Sequence, residues 1–495
     1  MDGDGDSGRR LDISLLLLLF MIAVLLRLLF LLLSGFDGLY GQDAYAYYDF
    51  AKELRTAFVN GHTPPPFFWP LGYPMLLVGL FAAFGGSAGG AQGLNVLLGA
   101  VLSPLVYVLA RQLGVGRFGA LAAGTLMAFC GQALQSSLVV MSDVPALFWA
   151  TSSAVVLWLY LNAADQSSRV QRLMLSAMLL ALAAVTRWIY VLLMLPWGLT
   201  LLLSGKLPWR AGAAAVMMAG LLLLPQVIYS GVTAQPAVKH AWVSEWAAEN
   251  AFRSTFDNAE GHFAYQQINA AFFAQAYLAP YYLSPLFAIF ALIGVWRWRK
   301  QGERMAMLLG WALLPYLFLI GLPSQNIRFP LIVIPPTVVL AGAGLESLVV
   351  WRGWRRPVIG YALVVLLLCI GLRQMGQTAG TTVTDFITRQ QAEKQVAQWA
   401  AAYIPPDATV YSFGLTLILR HETACNVIEL YYESPDSLDA RWQRGREDYL
   451  LVNGWNIENQ WAGRSPQIAF RWLQETRGII RYGRFGNYTL YKIRG

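Results

Sequence analysis

The apolar run ISLLLLLFMIAVLLRLLFLLLS, residues 13–34, gives way after a short loop to GQDAYAYYDFAKEL, residues 41–54. The first stretch has the length of a membrane-crossing helix, for which about 20 apolar residues suffice. It is too long for the core of a signal peptide, and no small-x-small cleavage site follows it, so it reads as an uncleaved first span. In the second stretch Ala44, Tyr47, Ala51 and Leu54 recur at helical spacing, while Asp49, Lys52, Glu53 and Arg55 fall elsewhere on the surface. That pattern predicts a helix lying in the membrane interface, where a tyrosine ring is buried with its hydroxyl kept wet. Asp43 heads this helix. Two roles suit its carboxylate: an N-cap for the first free amides, or a general base taking the proton of an attacking hydroxyl at the membrane surface.

The rest of the chain agrees with a membrane setting. Of 495 residues, 57% are hydrophobic and 13% charged, and the mean hydropathy is +0.47, which excludes a soluble multidomain protein and predicts a polytopic α-helical membrane protein. Further spanning runs lie at 93–110, 118–137, 144–161, 173–204, 211–229, 281–296, 305–322, 330–350 and 357–372. The run 173–204 suits a hairpin of two spans broken near Thr186 and Arg187, which brings the expectation to about eleven crossings. LGYPMLLVGLFAAF, residues 71–84, is too short and contains Pro74, so it reads as re-entrant or interfacial. With the N-terminus cytoplasmic, this topology gathers fifteen basic residues, from Arg9 to Arg356, on one side and leaves seven in the opposite loops of the membrane part. Counting 71–84 as a crossing would destroy that sorting, so the positive-inside bias supports the odd number.

Two domains follow. Residues 1–375 form the membrane part, with outer loops at 35–92 and 230–280, and residues 376–495 form an extracytoplasmic α/β domain. In the latter an amphipathic helix around ITRQQAEKQVAQWAAAY precedes short strands ATVYSF, NVIELYY, DYLLVN, GIIRYG and YTLYKI. Its 13 basic and 12 acidic residues nearly balance, so no nucleic-acid footprint is present. Cys130 and Cys369 lie in apolar runs and Cys425 stands alone, which offers no disulfide framework. The acidic head MDGDGDSGRR has the look of a metal-binding string, but a short glycine-rich tail without partner ligands reads first as disordered.

If Asp43 is a base, an electrophile must reach the outer side, where no nucleotide pool exists. The chain has no P-loop and no dinucleotide turn, so an activated substrate is expected to arrive through the membrane as a lipid, and a polyprenyl-phosphate sugar fits. In QDAYAYYDFAKEL the sequence resembles the GT-C superfamily of membrane glycosyltransferases, which includes protein O-mannosyltransferases and lipid A aminoarabinose transferases. Their acidic motif D-E-x-x-Y-A places Asp43 on the catalytic acid and Tyr47 on the aromatic, with Ala44 departing where an acid is common. FFWPLGYPMLL (67–77), MSDVPALF (141–148), AVTRWIYVLLMLP (184–196) and QNIRFPLIVIPP (325–336) extend the likeness over the membrane part. The resemblance implies a GT-C fold with a C-terminal outward α/β domain. The departure at Ala44 weakens a metal site at the motif, although a divalent metal stays open.

Other residues carry two readings each. Asp143, in S-D-V-P at the outer start of a span, suits a helix cap or a second catalytic acid facing the same cavity. Arg187 and Arg328 lie at outer span ends, where they either snorkel or bind the donor phosphate. Lys239 and His240 reach the phosphate or acceptor, or are simply solvated. Trp69 and Tyr73 shape the cavity or pack its wall. The resulting expectation is an inverting glycosyltransferase of a bacterial plasma membrane, taking a polyprenyl-phosphate sugar donor and a hydroxyl-bearing acceptor. A transporter or lipid flippase of similar topology is the alternative, against which few charges inside the spans, Arg27 the clearest, and the lack of an internal repeat argue. An inactive scaffold presenting the α/β domain is a third reading.

Overall fold

The computed structural model describes residues 3–163, 165–233, 241–350, 357–441 and 447–493. Its first part runs α1 (Gly3–Ser34), α2 (Asp43–Asn60), α3 (Gly72–Phe84), α4 (Ala88–Gln112), α5 (Arg117–Phe129), α6 (Gly131–Ser137), α7 (Asp143–Leu161), α8 (Gln166–Thr186), α9 (Met194–Ser204) and α10 (Trp209–Val232). A short helix α11 (Ala241–Ser244) and a hairpin of β1 (Thr255–Asn258) and β2 (Gly261–Ala264) precede α12 (Asn269–Leu278), α13 (Pro285–Trp298), α14 (Gly302–Leu319), α15 (Ile334–Val349) and α16 (Pro357–Ala401). Among the described residues seven helices are long and apolar enough to cross a membrane: α1, α4, α7, α8, α10, a segment Phe329–Val349 that ends in α15, and the start of α16. The chain is an integral membrane protein.

Several expectations change in detail. The acidic head is helical from Gly3 onward instead of disordered, because α1 begins there and runs into the apolar stretch. The run 118–137 is two helices, broken at Cys130 in extended backbone (φ −62°, ψ 111°). At the break the Gln132 N–H bonds the Tyr281 carbonyl at 3.3 Å, and a Cβ on Gly131 would lie 2.6 Å from the Tyr281 ring. The run 173–204 does turn at Arg187, whose own backbone is extended (φ −157°, ψ 118°), and α9 follows after the 3-10 segment Trp188–Leu193. Helix α3 has 13 residues, about 20 Å of helix against about 30 Å of hydrocarbon.

Close helix contacts hold the membrane part together. In lipid, association rests on backbones that approach closely, so small residues gather at crossings. On α15 a Cβ at Gly342 would sit 2.3 Å from the Gly119 carbonyl of α5, and one at Gly344 would sit 1.9 Å from the Phe290 carbonyl of α13. Helix α15 is buried along nearly its whole length as a result.

The domain begins inside α16, since that helix continues unbroken for 45 residues, about 68 Å, and residues 375 and 376 lie within it. Beyond it come β3 (Thr409–Ser412), α17 (Thr416–Glu422), β4 (Asn426–Glu429), α18 (Pro435–Arg441), β5 (Asp448–Asn453), α19 (Gly454–Glu458), α20 (Ser465–Thr476), β6 (Ile479–Phe485) and β7 (Tyr488–Ile493). The strands form one mixed sheet in the order β4-β3-β5-β7-β6, with β3 parallel to β4 and β5 and the last pairings antiparallel. Alternation sorts the faces: Val410, Tyr449, Leu451 and Leu490 pack with Val396, Ala397 and Ala400 of α16, while Tyr411, Leu450, Val452 and Ile493 pack with Ala469, Phe470 and Leu473 of α20.

The domain is seated on the loop between α1 and α2 and on the start of α2. Lys394 of α16 pairs with Asp37 at 2.9 Å and with Glu422 of α17 at 3.2 Å. Gln391 donates to the Ser34 carbonyl at 2.8 Å, and the His421 ring lies 5.3 Å from Tyr45 of the interfacial helix.

Candidate active site

Four charged side chains from distant parts of the chain meet above the membrane helices. Asp43 Oδ2 accepts from Arg328 Nη2 at 3.0 Å, Arg328 Nη1 lies 3.8 Å from Asp143 Oδ2, and Asp143 Oδ1 pairs with Arg187 Nη1 at 3.1 Å. Arg187 Nη1 also lies 3.4 Å from Ser142 Oγ, which hydrogen bonds the Tyr47 hydroxyl at 3.1 Å. The result is one line of alternating charge. Local structure explains each position: Asp43 and Asp143 start α2 and α7, Arg187 occupies the extended break after α8, and Arg328 closes the loop before a 3-10 turn.

The capping reading of the two acids does not hold. Asp43 follows Gln42 and Asp143 follows Ser142, each of those preceding residues is already in helical conformation, and neither helix start has a side-chain capping bond. Both carboxylates are turned to guanidinium groups instead, because an uncompensated buried arginine is costlier than an amide left to other partners. Nor do the arginines stand free: Arg328 also keeps its backbone N–H on Asn326 Oδ1 at 3.0 Å, and the Arg187 guanidinium lies 5.2 Å over the Phe329 ring.

The line of charge opens onto a cavity of about 600 Å³. Asp43, Arg187, Arg328 and Asn326 border it at the charged end, and Phe68, Trp69, Trp188, Leu192, Leu319 and Phe329 are among its apolar walls. Asp43 is 35% exposed and faces this space, whereas Asp143 is 2% exposed and does not border it. Asp143 thus sits between the two arginines beneath the cavity and not at its surface. Tyr47 and Trp69 line the cavity with rings 5.3 Å apart, and Tyr73 is fully buried behind them, 5.3 Å from Tyr47. Lys239 and His240 lie outside the described residues.

The 230–280 region contributes a residue that sequence reasoning missed. Glu260, in the turn between β1 and β2, borders the same cavity, and its side chain has no hydrogen bond or ion pair among the described residues. Burial, reinforced by the like charges of Asp43 and Glu245, pushes its carboxyl up to about 7. N-A-E-G is an ordinary turn sequence, so nothing local marked it.

A divalent metal fits this donor set poorly. Among the described residues no three His, Cys, Asp or Glu side chains cluster as ligands, and the near oxygens of Asp43 and Asp143 are committed to arginine.

Comparison with known proteins follows the same lines. Residues 79–239 match the model of the dolichyl-phosphate-mannose-protein mannosyltransferase family, a stretch that includes Asp143 and Arg187. No curated protein sequence is a significant match. Among solved structures, ArnT from Cupriavidus metallidurans in the apo state superposes with a TM-score of 0.61 at 14% identity, covering 99% of this chain and 98% of that one. The same protein bound to undecaprenyl phosphate gives 0.60 at 13% identity, with 98% of both chains covered. The apo oligosaccharyltransferase of Archaeoglobus fulgidus gives 0.60 at 14% identity, over 97% of this chain and 74% of that one. The chain thus shares the GT-C fold of ArnT and of the archaeal oligosaccharyltransferase over nearly its whole length.

Proposed function

We propose that the chain is an inverting glycosyltransferase that moves a hexosyl or pentosyl group from a polyprenyl-phosphate donor to an acceptor hydroxyl at the outer face of a bacterial plasma membrane. The observation that carries this reading is the Asp43–Arg328–Asp143–Arg187 line at the head of an apolar cavity. Apolar walls suit a lipid chain, guanidinium groups suit its phosphate, and the exposed carboxylate suits the incoming hydroxyl. That ArnT, a protein of this fold, is seen with undecaprenyl phosphate bound supports a lipid-linked donor here.

In this mechanism the acceptor oxygen attacks the anomeric carbon while its proton passes to Asp43. The carbon–oxygen bond to phosphate breaks, and its electron pair leaves with the phosphate. Arg328 and Arg187 take up the charge that develops there. One displacement inverts the centre, and Asp143 is too deeply buried to serve as a nucleophile for a second. The domain's contacts with Asp37 and Ser34 support placing the first outer loop and residues 376–495 on the same side of the membrane.

Transport fits less well. Arg27, the charged side chain deep in a span, is sealed against α4 and α6 and does not border the cavity. The test is transfer in reconstituted membranes supplied with labelled polyprenyl-phosphate sugars from a bacterial lipid extract. Wild type should release polyprenyl phosphate and pass label to an acceptor, and Asp43→Asn should not. Label that crosses the bilayer without any transfer, or transfer retained in the variant, overturns the reading.

A further inference from the structure

The three parallel strands of the domain end at one edge of the sheet, and an aromatic residue follows each of them. Phe413 comes just after β3, Tyr431 two residues after β4, and Trp455 two residues after β5. Trp461 ties two of these together, with its ring 4.7 Å from Phe413 and 5.7 Å from Tyr431. Tyr432 extends the group at 5.0 Å from Tyr431. Tyr432 is 81% exposed and Trp455 72% exposed. Tyr432 and Trp455 thus leave large rings uncovered at the same end of the sheet, flanking the packed cluster of Phe413, Tyr431 and Trp461, and such an uncovered aromatic surface marks a binding site. In open α/β sheets, moreover, ligands sit in the crevice beyond the carboxyl ends of parallel strands.

This edge is also the one that meets the cavity. Glu429, the last residue of β4, accepts from Gln42 Nε2 at 3.4 Å, and Gln42 immediately precedes Asp43. On the other side Gln460, next to Trp461, holds the turn that carries Glu260. Its Nε2 donates to the Glu260 carbonyl at 3.1 Å, and its own carbonyl accepts the His262 N–H at 2.7 Å. Gly261 makes that approach possible: its φ is +112°, and a Cβ there would lie 2.3 Å from the Gln460 carbonyl oxygen. Both carboxylates that face the cavity are thus within one residue of a contact from the aromatic edge.

We propose that this edge is a saccharide-binding platform, and that the acceptor of the transfer reaction is itself a glycan whose leading sugar enters between Glu260 and Asp43. The inference rests on reading Asp43 as the base. The C–H face of a sugar ring is apolar and packs on an aromatic face, while its hydroxyls donate to carboxylates such as Glu260 and Glu429. Those same carboxylates repel an anionic headgroup, which selects a neutral glycan over an acidic lipid. Among the lining residues the arginines suit the donor phosphate, and Asp43 and Glu260 suit the acceptor hydroxyls.

The experiment is saturation-transfer difference NMR on the full chain in nanodiscs, with linear hexasaccharides of mannose, arabinose and galactose as probes. At least one should show contact with aromatic protons. Trp455→Ala combined with Tyr432→Ala should weaken that binding about tenfold, the scale of two lost ring contacts, while Trp455→Phe retains most of it. Asp43→Asn leaves the rings untouched, so contact with aromatic protons should persist in it even where the leading sugar is held less tightly; aromatic contact that survives alongside a failed catalytic test would reject the base and keep the platform. Signal from none of the three, or wild-type binding by the double Ala variant, overturns the proposal. So does quenching of Trp455 by brominated lipids, judged against Trp455→Phe, since the edge would then be a membrane anchor.

Discussion

Helices α2 and α7 begin alike and serve different ends. Each has a residue already in helical conformation, then an aspartate at the first helical position, then no side-chain cap. Yet Asp43 is 35% exposed on the cavity, and Asp143 is 2% exposed beneath it. The acid at the wet surface can meet an incoming hydroxyl, whereas the acid below can only fix the arginines that flank it. In the proposed mechanism it is burial, not the motif around the aspartate, that separates the reacting group from its support.

One substitution at each position puts that contrast to the test. Asp43→Asn keeps the shape and loses the proton-accepting charge, so transfer should fall by roughly 10²-fold or more with little change in thermal stability. Asp143→Asn removes the buried partner of Arg187 and part of that of Arg328, which should lower the melting temperature and slow transfer by about tenfold. Turnover and unfolding measured side by side decide the matter. Two variants with the same balance of effects would erase the distinction between them.

The arginines sharpen the same comparison at the next level down. A charge-assisted hydrogen bond to phosphate contributes about 1.5–3 kcal/mol, so Arg187→Gln and Arg328→Gln should each weaken binding of undecaprenyl phosphate by about tenfold or more. Binding is read by titration in detergent, with folding checked by thermal shift. Unchanged affinity in both would leave these residues as partners of the acids and nothing else.

How far the sequence reaches depends on the range of the physics involved. The strands around 409–412, 426–429, 448–453, 479–485 and 488–493 were visible because alternation and turn residues act over a few positions. Of the roughly eleven expected crossings, seven correspond to helices long and apolar enough to span a membrane among the described residues, and these were visible through length and hydropathy. The break at Cys130 was not, because the group that meets it, Tyr281, lies about 150 residues away in sequence. Nor was the continuity of α16, since the polar turn in composition near residue 376 alters the helix's surroundings and not its backbone. Asp43, Asp143, Arg187 and Arg328 could each be picked from a local motif, but their order of pairing is tertiary. Glu260 had neither motif nor neighbour to mark it.

Glu260 also supplies the smallest effect and the finest probe of how the two sides of the cavity divide. Burial, with the like charges of Asp43 and Glu245, pushes its carboxyl up to about 7, which makes the neutral form dominant below that pH and the ionised form above it. The ionised form adds negative charge beside any bound phosphate. Affinity for undecaprenyl phosphate should therefore fall as pH rises through about 7, over and above the lipid's own second ionisation near 6. Glu260→Gln holds the neutral form throughout. The ratio of the two affinities cancels the lipid's titration, and it should be near one at about pH 6 and favour the variant roughly threefold at about pH 8, a size set by a screened interaction across a wet cavity. Added salt should shrink the difference. Parallel profiles for the two proteins would mean that Glu260 does not feel the phosphate, and the division of the cavity into a donor side and an acceptor side would lose its electrostatic basis.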